Sequence, residues 1–247
     1  MTAPQPFTET MPPRHLLQTI FSSLTRTPII STPSSALTPT PTPTSWTLLR
    51  TLKSENPNDI QGDLHGTATF TPLRTSQTET DETDTSGEGH TDLLYSESGS
   101  LPTSFGPGLR WTKKYIWRLS ANGRISVWFV KPDKKPASKG KENQEEEEAD
   151  YLFHEFDFAS TLSSDSNSAE FVTPPTPPEV QGLARGSTTK VITARGNHLC
   201  IDDMYRTAYA FRVDESGEVL SWASRHVVRG PRKGQDIVNL YSRGILT

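Results

Sequence analysis

The densest run of chemically capable side chains is His198-Leu199-Cys200-Ile201-Asp202-Asp203-Met204-Tyr205. A nucleophilic reading has His198 activate the Cys200 thiol while Asp203 orients the imidazole. Residues two apart on a strand share a face, so His198 and Cys200 can be neighbours. Asp203 reaches that side only through a bulge or turn at Ile201-Asp202. The structural alternative makes Asp203 a turn cap, Cys200 a small core residue, and His198 and Tyr205 partners in structural hydrogen bonds. A proton-transfer version uses His198, Asp203, Tyr205 and Glu97 as the catalytic candidates on a bound ligand, in the manner of an isomerase or cyclase.

The concentrated basic stretch is Gly230-Pro231-Arg232-Lys233, preceded by Arg225, His226 and Arg229. Arginine offers a fork and lysine a point charge, a combination suited to a carboxylate or phosphate; the structural alternative is a polar hairpin turn. Glu97 lies on a strand with Leu93 and Tyr95, where a buried acid either carries a proton or pairs with an inward arginine, Arg50 or Arg118. His154, His198 and Glu97 are residue types that zinc accepts. No His-x-His or His-x-x-x-His pair occurs and Cys200 is the sole cysteine, so neither a metal site nor a cofactor is expected. Haem ligated by His198 or His154 is the lesser alternative.

These side chains need a scaffold, and the prolines and aromatics map it. Most aromatics fall in segments rich in β-branched residues that read as strands, at 46–52, 64–72, 92–99, 111–119, 124–130, 151–158, 198–213 (two strands), 218–228 and 236–243. Proline is nearly excluded from them, as ladder hydrogen bonding requires. Between them lie biased segments at 75–91, 132–150 and 160–190, read as disordered insertions that cannot offset their ordering entropy by burial, with Glu145 to Asp150 a solvated loop. Residues 31–44 repeat Thr-Pro and read as a linker. Arg14 to Leu24 places Leu16, Leu17, Ile20, Phe21 and Leu24 on one helical face after Pro12-Pro13. The expected organisation is an N-terminal helix and linker over 1–44 and one domain over 45–247.

About eight to ten antiparallel strands with one helix define an all-β class, and an up-and-down barrel hides the edges of such a meander. Its inward faces carry charge: Arg50 with Trp46 and Leu48, Glu97 with Tyr95, Lys113 with Trp111 and Tyr115, and Arg225 with Val227. A buried ionisable group needs a partner or a ligand. The expected ligand-contact set is Arg50, Glu97, Lys113, Tyr115, Trp117, His154, His198, Tyr205, Arg225, Arg232 and Lys233, with Phe129, Tyr209 and Phe211 completing the lining.

Whole-chain properties narrow the classes of function. The 247 residues are 32% hydrophobic, with a net charge of -4 and a pI near 5.9. No apolar run is long enough for a transmembrane helix, and no general basic surplus marks a nucleic-acid binder. A lone cysteine excludes an internal disulfide and fits a reducing, cytoplasmic setting. The Ser/Thr-rich, acid-poor first 53 residues make a mitochondrial presequence the lesser alternative.

Trp46-x-x-x-Arg50, Gly66-x-Ala68-x-Phe70, Tyr95-x-Glu97-x-Gly99, Tyr115-x-Trp117, Phe153-His154, His198-x-Cys200-x-x-Asp203-x-Tyr205 and Gly230-Pro231-Arg232-Lys233 together resemble the domain-of-unknown-function family 6314, found in bacteria and fungi. The resemblance covers 14–24 and 45–243. It implies a lipocalin-like or calycin-like barrel and no established activity. In such barrels an arginine of the last strand packs across a tryptophan of the first, here Arg243 and Trp46. The resulting expectation is a binder of a small apolar or amphipathic molecule with an anionic or polar head. The alternatives are the barrel enzyme and an interaction module reaching protein partners through the Ser/Thr/Pro-rich insertions.

Overall fold

Alternation of apolar and polar residues with period two dominates the chain, and ten strands form from it. The computed structural model describes residues 12–26, 45–73, 89–132, 147–158, 172–180, 182–183 and 187–243. The central portions of the expected insertions, 74–88, 133–146 and 159–171, and the Thr-Pro linker lie outside these. The strands are β1 (Ser45–Ser54), β2 (Gly62–Pro72), β3 (His90–Ser100), β4 (Arg110–Ser120), β5 (Ile125–Val130), β6 (Ala149–Glu155), β7 (Lys190–Cys200), β8 (Asp203–Val213), β9 (Val219–Arg229) and β10 (Gly234–Ser242). They follow one helix, α1 (Arg14–Ser23).

Every named pair is antiparallel, in the order β6-β5-β4-β3-β2-β1-β10-β9-β8-β7. The first and last strands therefore sit side by side, with Arg50 opposite Asn239. The remaining gap, between β6 and β7, is bridged just past β6, where Asp157 and Arg195 exchange backbone hydrogen bonds of 2.8 and 2.9 Å. The result is a nearly closed up-and-down barrel, consistent with the lipocalin-like architecture expected. Near-closure leaves few free strand edges.

One end of the barrel is plugged by α1. Leu17, Ile20, Phe21 and Leu24 are all buried and join the barrel core. The Trp46 indole donates to the Leu24 carbonyl at 3.2 Å, and the Val219 amide donates to Ser23 Oγ at 3.0 Å. Arg243 stands 4.4 Å over the Trp46 ring, the cation–indole pair the resemblance implies. Its guanidinium also donates to the Ser23 carbonyl at 2.7 Å and to that of Arg26, tying β10 to the helix C-terminus. Burial draws the Arg243 pKa down to about 10, with Glu218 pulling the other way. Antiparallel order places the β1–β2, β3–β4, β5–β6, β7–β8 and β9–β10 connections together at the opposite end, which the helix leaves open.

Three boundaries differ from the sequence reading. β7 begins at Lys190 and runs through residues assigned to no strand, because its inward positions are small: Ala194 is buried, and Gly196 leaves the space that His154 fills. A Cβ on Gly196 would lie 2.3 Å from the His154 ring, so the strand carries no aromatic signature there. β6 starts at Ala149, so the acidic run is no solvated loop throughout. Glu148 pairs with Lys131 at 2.6 Å and Glu147 with Lys114. Residues 172–180, placed in the insertion at 160–190, lie against the outer wall. Arg212 donates to the Pro177 and Pro178 carbonyls at 3.2 Å and to Glu179 at 2.6 Å, and Ser221 donates to Pro178 at 2.6 Å.

Candidate functional site

Inside the open end lies a cavity of about 290 Å³. Side chains of β3, β1, β10 and β9 supply its polar wall. Arg50 donates through Nη2 to Glu97 Oε1 at 2.6 Å and through Nε to Asn239 Oδ1 at 2.7 Å. The other Glu97 oxygen accepts from the Tyr95 hydroxyl at 2.5 Å, and Tyr95 meets the Tyr241 hydroxyl at 2.8 Å. Asn239 donates to Ser224 Oγ at 3.0 Å, and Ser224 contacts His226 Nε2 at 3.2 Å. A continuous hydrogen-bonded chain thus runs Tyr241–Tyr95–Glu97–Arg50–Asn239–Ser224–His226, and all seven residues line the cavity.

Strand parity explains this wall. Trp222, Ser224, His226 and Val228 share the inward face of β9, and Gln235, Ile237, Asn239 and Tyr241 that of β10. Two glycines hold the arginine in place from behind. A Cβ at Gly99 would lie 2.6 Å from the Trp111 ring and one at Gly66 3.0 Å from it, so their absence seats the indole. Arg50 rests 4.6 Å over that ring. The Gly66 and Gly99 of the resembling motifs are therefore packing requirements of the Arg50 side.

The facing wall is aromatic. Tyr115, Trp117, Phe129, Phe153, Tyr205 and Tyr209 come from β4, β5, β6 and β8. Burial lifts the Tyr115 hydroxyl to about 12, with Glu97 adding to the effect, so it remains a neutral hydrogen-bonding group.

Two lysines stand at the mouth. Lys233 donates to the Tyr205 hydroxyl at 2.7 Å. Lys113 faces Glu97 directly across the β3–β4 ladder. Both Glu97 oxygens are already engaged by Arg50 and Tyr95, and Lys113 has no ion pair or hydrogen bond among the described residues. By surface area Lys113 is exposed, while the residues around it in the barrel wall crowd the side chain. That crowding holds its pKa below the ordinary lysine value; Arg50 acts in the same direction, Glu97 against it, and Lys233 with it. The lining residues thus carry three cations (Arg50, Lys113, Lys233) and one carboxylate (Glu97), a lumen short of negative charge.

Of the eleven expected contact residues, Arg50, Glu97, Lys113, Tyr115, Trp117, Tyr205 and Lys233 line the cavity, as do Phe129 and Tyr209. Arg225 does not. It lies on the outward face of β9, bound in a two-point pair to Asp236 at 2.9 and 2.6 Å, because Trp222 takes the inward parity. Arg232 is exposed in the β9–β10 turn, where its backbone amide donates to Asp203 Oδ1 at 3.2 Å. His154 is buried behind the wall, its Nε2 3.0 Å from the Tyr209 hydroxyl. His198 packs on the rings of Phe153 and Tyr205 outside the cavity lining, and Phe211 belongs to the core.

The catalytic candidates are not assembled into one centre. Asp203, next to the two-residue β7–β8 turn, reaches the Gly230–Lys233 turn, and its carboxylate makes no hydrogen bond to the side chains of His198 or Cys200 among the described residues. A Cβ at Gly230 would fall 2.1 Å from its oxygen, so Gly230 and Asp203 interlock. Glu97 is held by Arg50 and Tyr95, and Tyr205 by Lys233. Among the described residues no three His, Cys, Asp or Glu side chains converge as a metal would require, and His154, His198 and Glu97 stay apart.

Asn239, Tyr241, Ser224, His226, Tyr95 and Phe153 are lining residues that the sequence reading did not select as contacts. Putting Trp222, the largest apolar residue of β9, on the inward face would have brought Ser224 and His226 in with it.

His226 carries a pH signature. Burial, reinforced by Lys113 and Arg50, depresses its pKa from 6.5 to about 3, and burial holds His154 well below its ordinary value. The unfolded chain therefore binds protons that the folded chain refuses. For His226 this contribution is full above pH 6.5 and declines as pH falls from there toward 3, by about 1.4 kcal/mol per pH step once the unfolded form is protonated, and His154 acts in the same direction. Urea titrations at pH 7.5, 5.5 and 4.5 should give falling midpoints, and His226→Gln should flatten the trend.

An antiparallel β-barrel with a polar-and-aromatic lumen, plugged at one end and open at the other, defines the class of this protein. The chain belongs to the family of unknown function DUF6314, whose model matches residues 43–175 and 179–243. The match begins just before β1, so α1 lies outside it. No curated protein and no solved structure matches the chain. No helix among the described residues is long and apolar enough to cross a membrane.

Proposed function

We propose that the barrel binds a small amphipathic molecule through its lumen, with an anionic head at Lys113 and Lys233 and an apolar body against the aromatic wall. The carrying observation is Lys113, a lumen-lining ammonium with no ion pair or hydrogen bond among the described residues, opposite a carboxylate whose oxygens are both spent. An anion placed there would relieve the mutual repulsion of Lys113, Arg50 and Lys233. The cavity, about 290 Å³ in volume, is near the lower end of ligand pockets, which argues for a compact ligand. The reading is that of a binder in a reducing, intracellular setting. Proton-transfer catalysis by the His198 group has less support, since its members point to different places.

The amphipathic anion 1-anilinonaphthalene-8-sulfonate serves as a probe. It is expected to bind one to one with enhanced fluorescence. A Lys113→Met/Lys233→Met double variant should weaken it at least tenfold at low salt, and added salt should narrow the difference. Binding that is unsaturable, or equal in the double variant, would count against the lumen as an anion site.

A further inference from the structure

Resting on that reading, we infer that the ligand class is a flat aromatic or conjugated acid rather than an aliphatic one. The lumen is two-sided. Nine of its lining residues are aromatic, against three aliphatic ones, Val127, Val228 and Ile237. A flexible acyl chain is solvated equally well by aliphatic side chains. Planar rings gain additionally from offset-stacked or edge-to-face contacts with other rings. Several lining rings are already so arranged: Tyr115 and Phe153 lie 5.9 Å apart at 15°, and Phe129 and Phe153 5.0 Å apart at 63°. Rings held by such neighbours are rigid, and a rigid flat wall matches a rigid flat ligand without a large ordering cost.

The opposite wall accounts for the rest of the ligand. Its polar groups form a fixed chain rather than scattered hydroxyls, and its end member, His226, stays neutral with its Nε2 occupied by Ser224. A ring edge bearing a hydroxyl or carbonyl can meet this chain, whereas a methylene chain would leave it facing apolar surface, a cost for each unpaired polar group. The acidic substituent then falls to Lys113 and Lys233 at the mouth. The indole N–H of Trp222, also a lining residue, is buried without an acceptor among the described residues.

Three probes separate the parts of this inference by calorimetry on the full chain: naphthalene-2-carboxylate, 2-naphthamide and decanoate. Naphthalene-2-carboxylate is expected to bind at least tenfold tighter than decanoate, which has the same charge. It should lose at least fivefold on Lys113→Met, while 2-naphthamide binds weakly to both proteins. Phe129→Leu retains apolar bulk near the mouth and should weaken naphthalene-2-carboxylate several-fold with decanoate unchanged. Tyr115→Leu provides the same comparison should Phe129→Leu not fold. Equal or tighter binding of decanoate would overturn the aromatic class while leaving the lumen an anion site. Failure of both carboxylates to bind would overturn the class together with the reading beneath it.

Discussion

Glu97→Gln is expected to lower the stability of the barrel while raising its affinity for anions. The Glu97 and Arg50 side chains are only 2% and 7% exposed, and the pair is joined at 2.6 Å. Removing one partner of a buried pair costs about 3–5 kcal/mol, because the remaining charge stays desolvated and unpaired. The amide retains an acceptor for Arg50 or Tyr95, so Glu97→Gln should fall below that range and Glu97→Ala within it. Guanidinium unfolding of the three proteins gives the ordering directly. In the lumen the same change removes the one carboxylate that opposes Arg50, Lys113 and Lys233. Anilinonaphthalene sulfonate should therefore bind several-fold tighter to folded Glu97→Gln than to the parent chain. Lower stability with weaker anion binding would mean that Glu97 shapes the cavity rather than sets its charge.

Phe21→Ala should produce a loss of similar size from the other end of the molecule. Phe21 is 1% exposed and sits with Leu17, Ile20 and Leu24 in the core that closes the barrel floor. Phenylalanine-to-alanine changes at such positions cost about 3–5 kcal/mol in lost transfer energy and cavity formation. For a chain of this size that corresponds to a fall in Tm of about 10 °C. The helix is also held by Trp46, Val219 and Arg243, so relaxation into the void is restricted and the upper part of the range applies. Differential scanning calorimetry should show one transition moved down, since helix and barrel share a core. An unchanged Tm would mean that the helix contributes little to the barrel.

Several features of this architecture were legible from residue order alone. About eight to ten antiparallel strands, their closure into a barrel and the N-terminal helix follow from alternation, aromatic placement and turn residues, all local signals, whereas the Trp46–Arg243 pair follows from the family resemblance. The faces of β1, β3, β4 and β8 were legible too, because the Trp, Tyr and Phe residues within each share one parity. β9 misled: Arg225 and Val227 share one face and His226 and Val228 the other, so a short window cannot choose. Trp222 decides it, through a stack with Tyr241 that only the fold reveals. β7 stayed hidden because Gly196 and Ala194 yield their space to neighbours, a relation between strands rather than within one. The His198-to-Tyr205 cluster looked dense because sequence distance is short. A two-residue turn, with Ile201 in the left-handed region at φ 58°, sends Asp203 to the β9–β10 turn instead.

The most direct measurement of the central claim is native mass spectrometry of the chain purified from its own host, beside Lys113→Met/Lys233→Met and, as a control on the outer wall, Arg225→Ala. The account predicts a bound small acid at one per chain in the parent and in Arg225→Ala, and its loss from the lysine double variant. No retained molecule, or equal retention in the double variant, would contradict it.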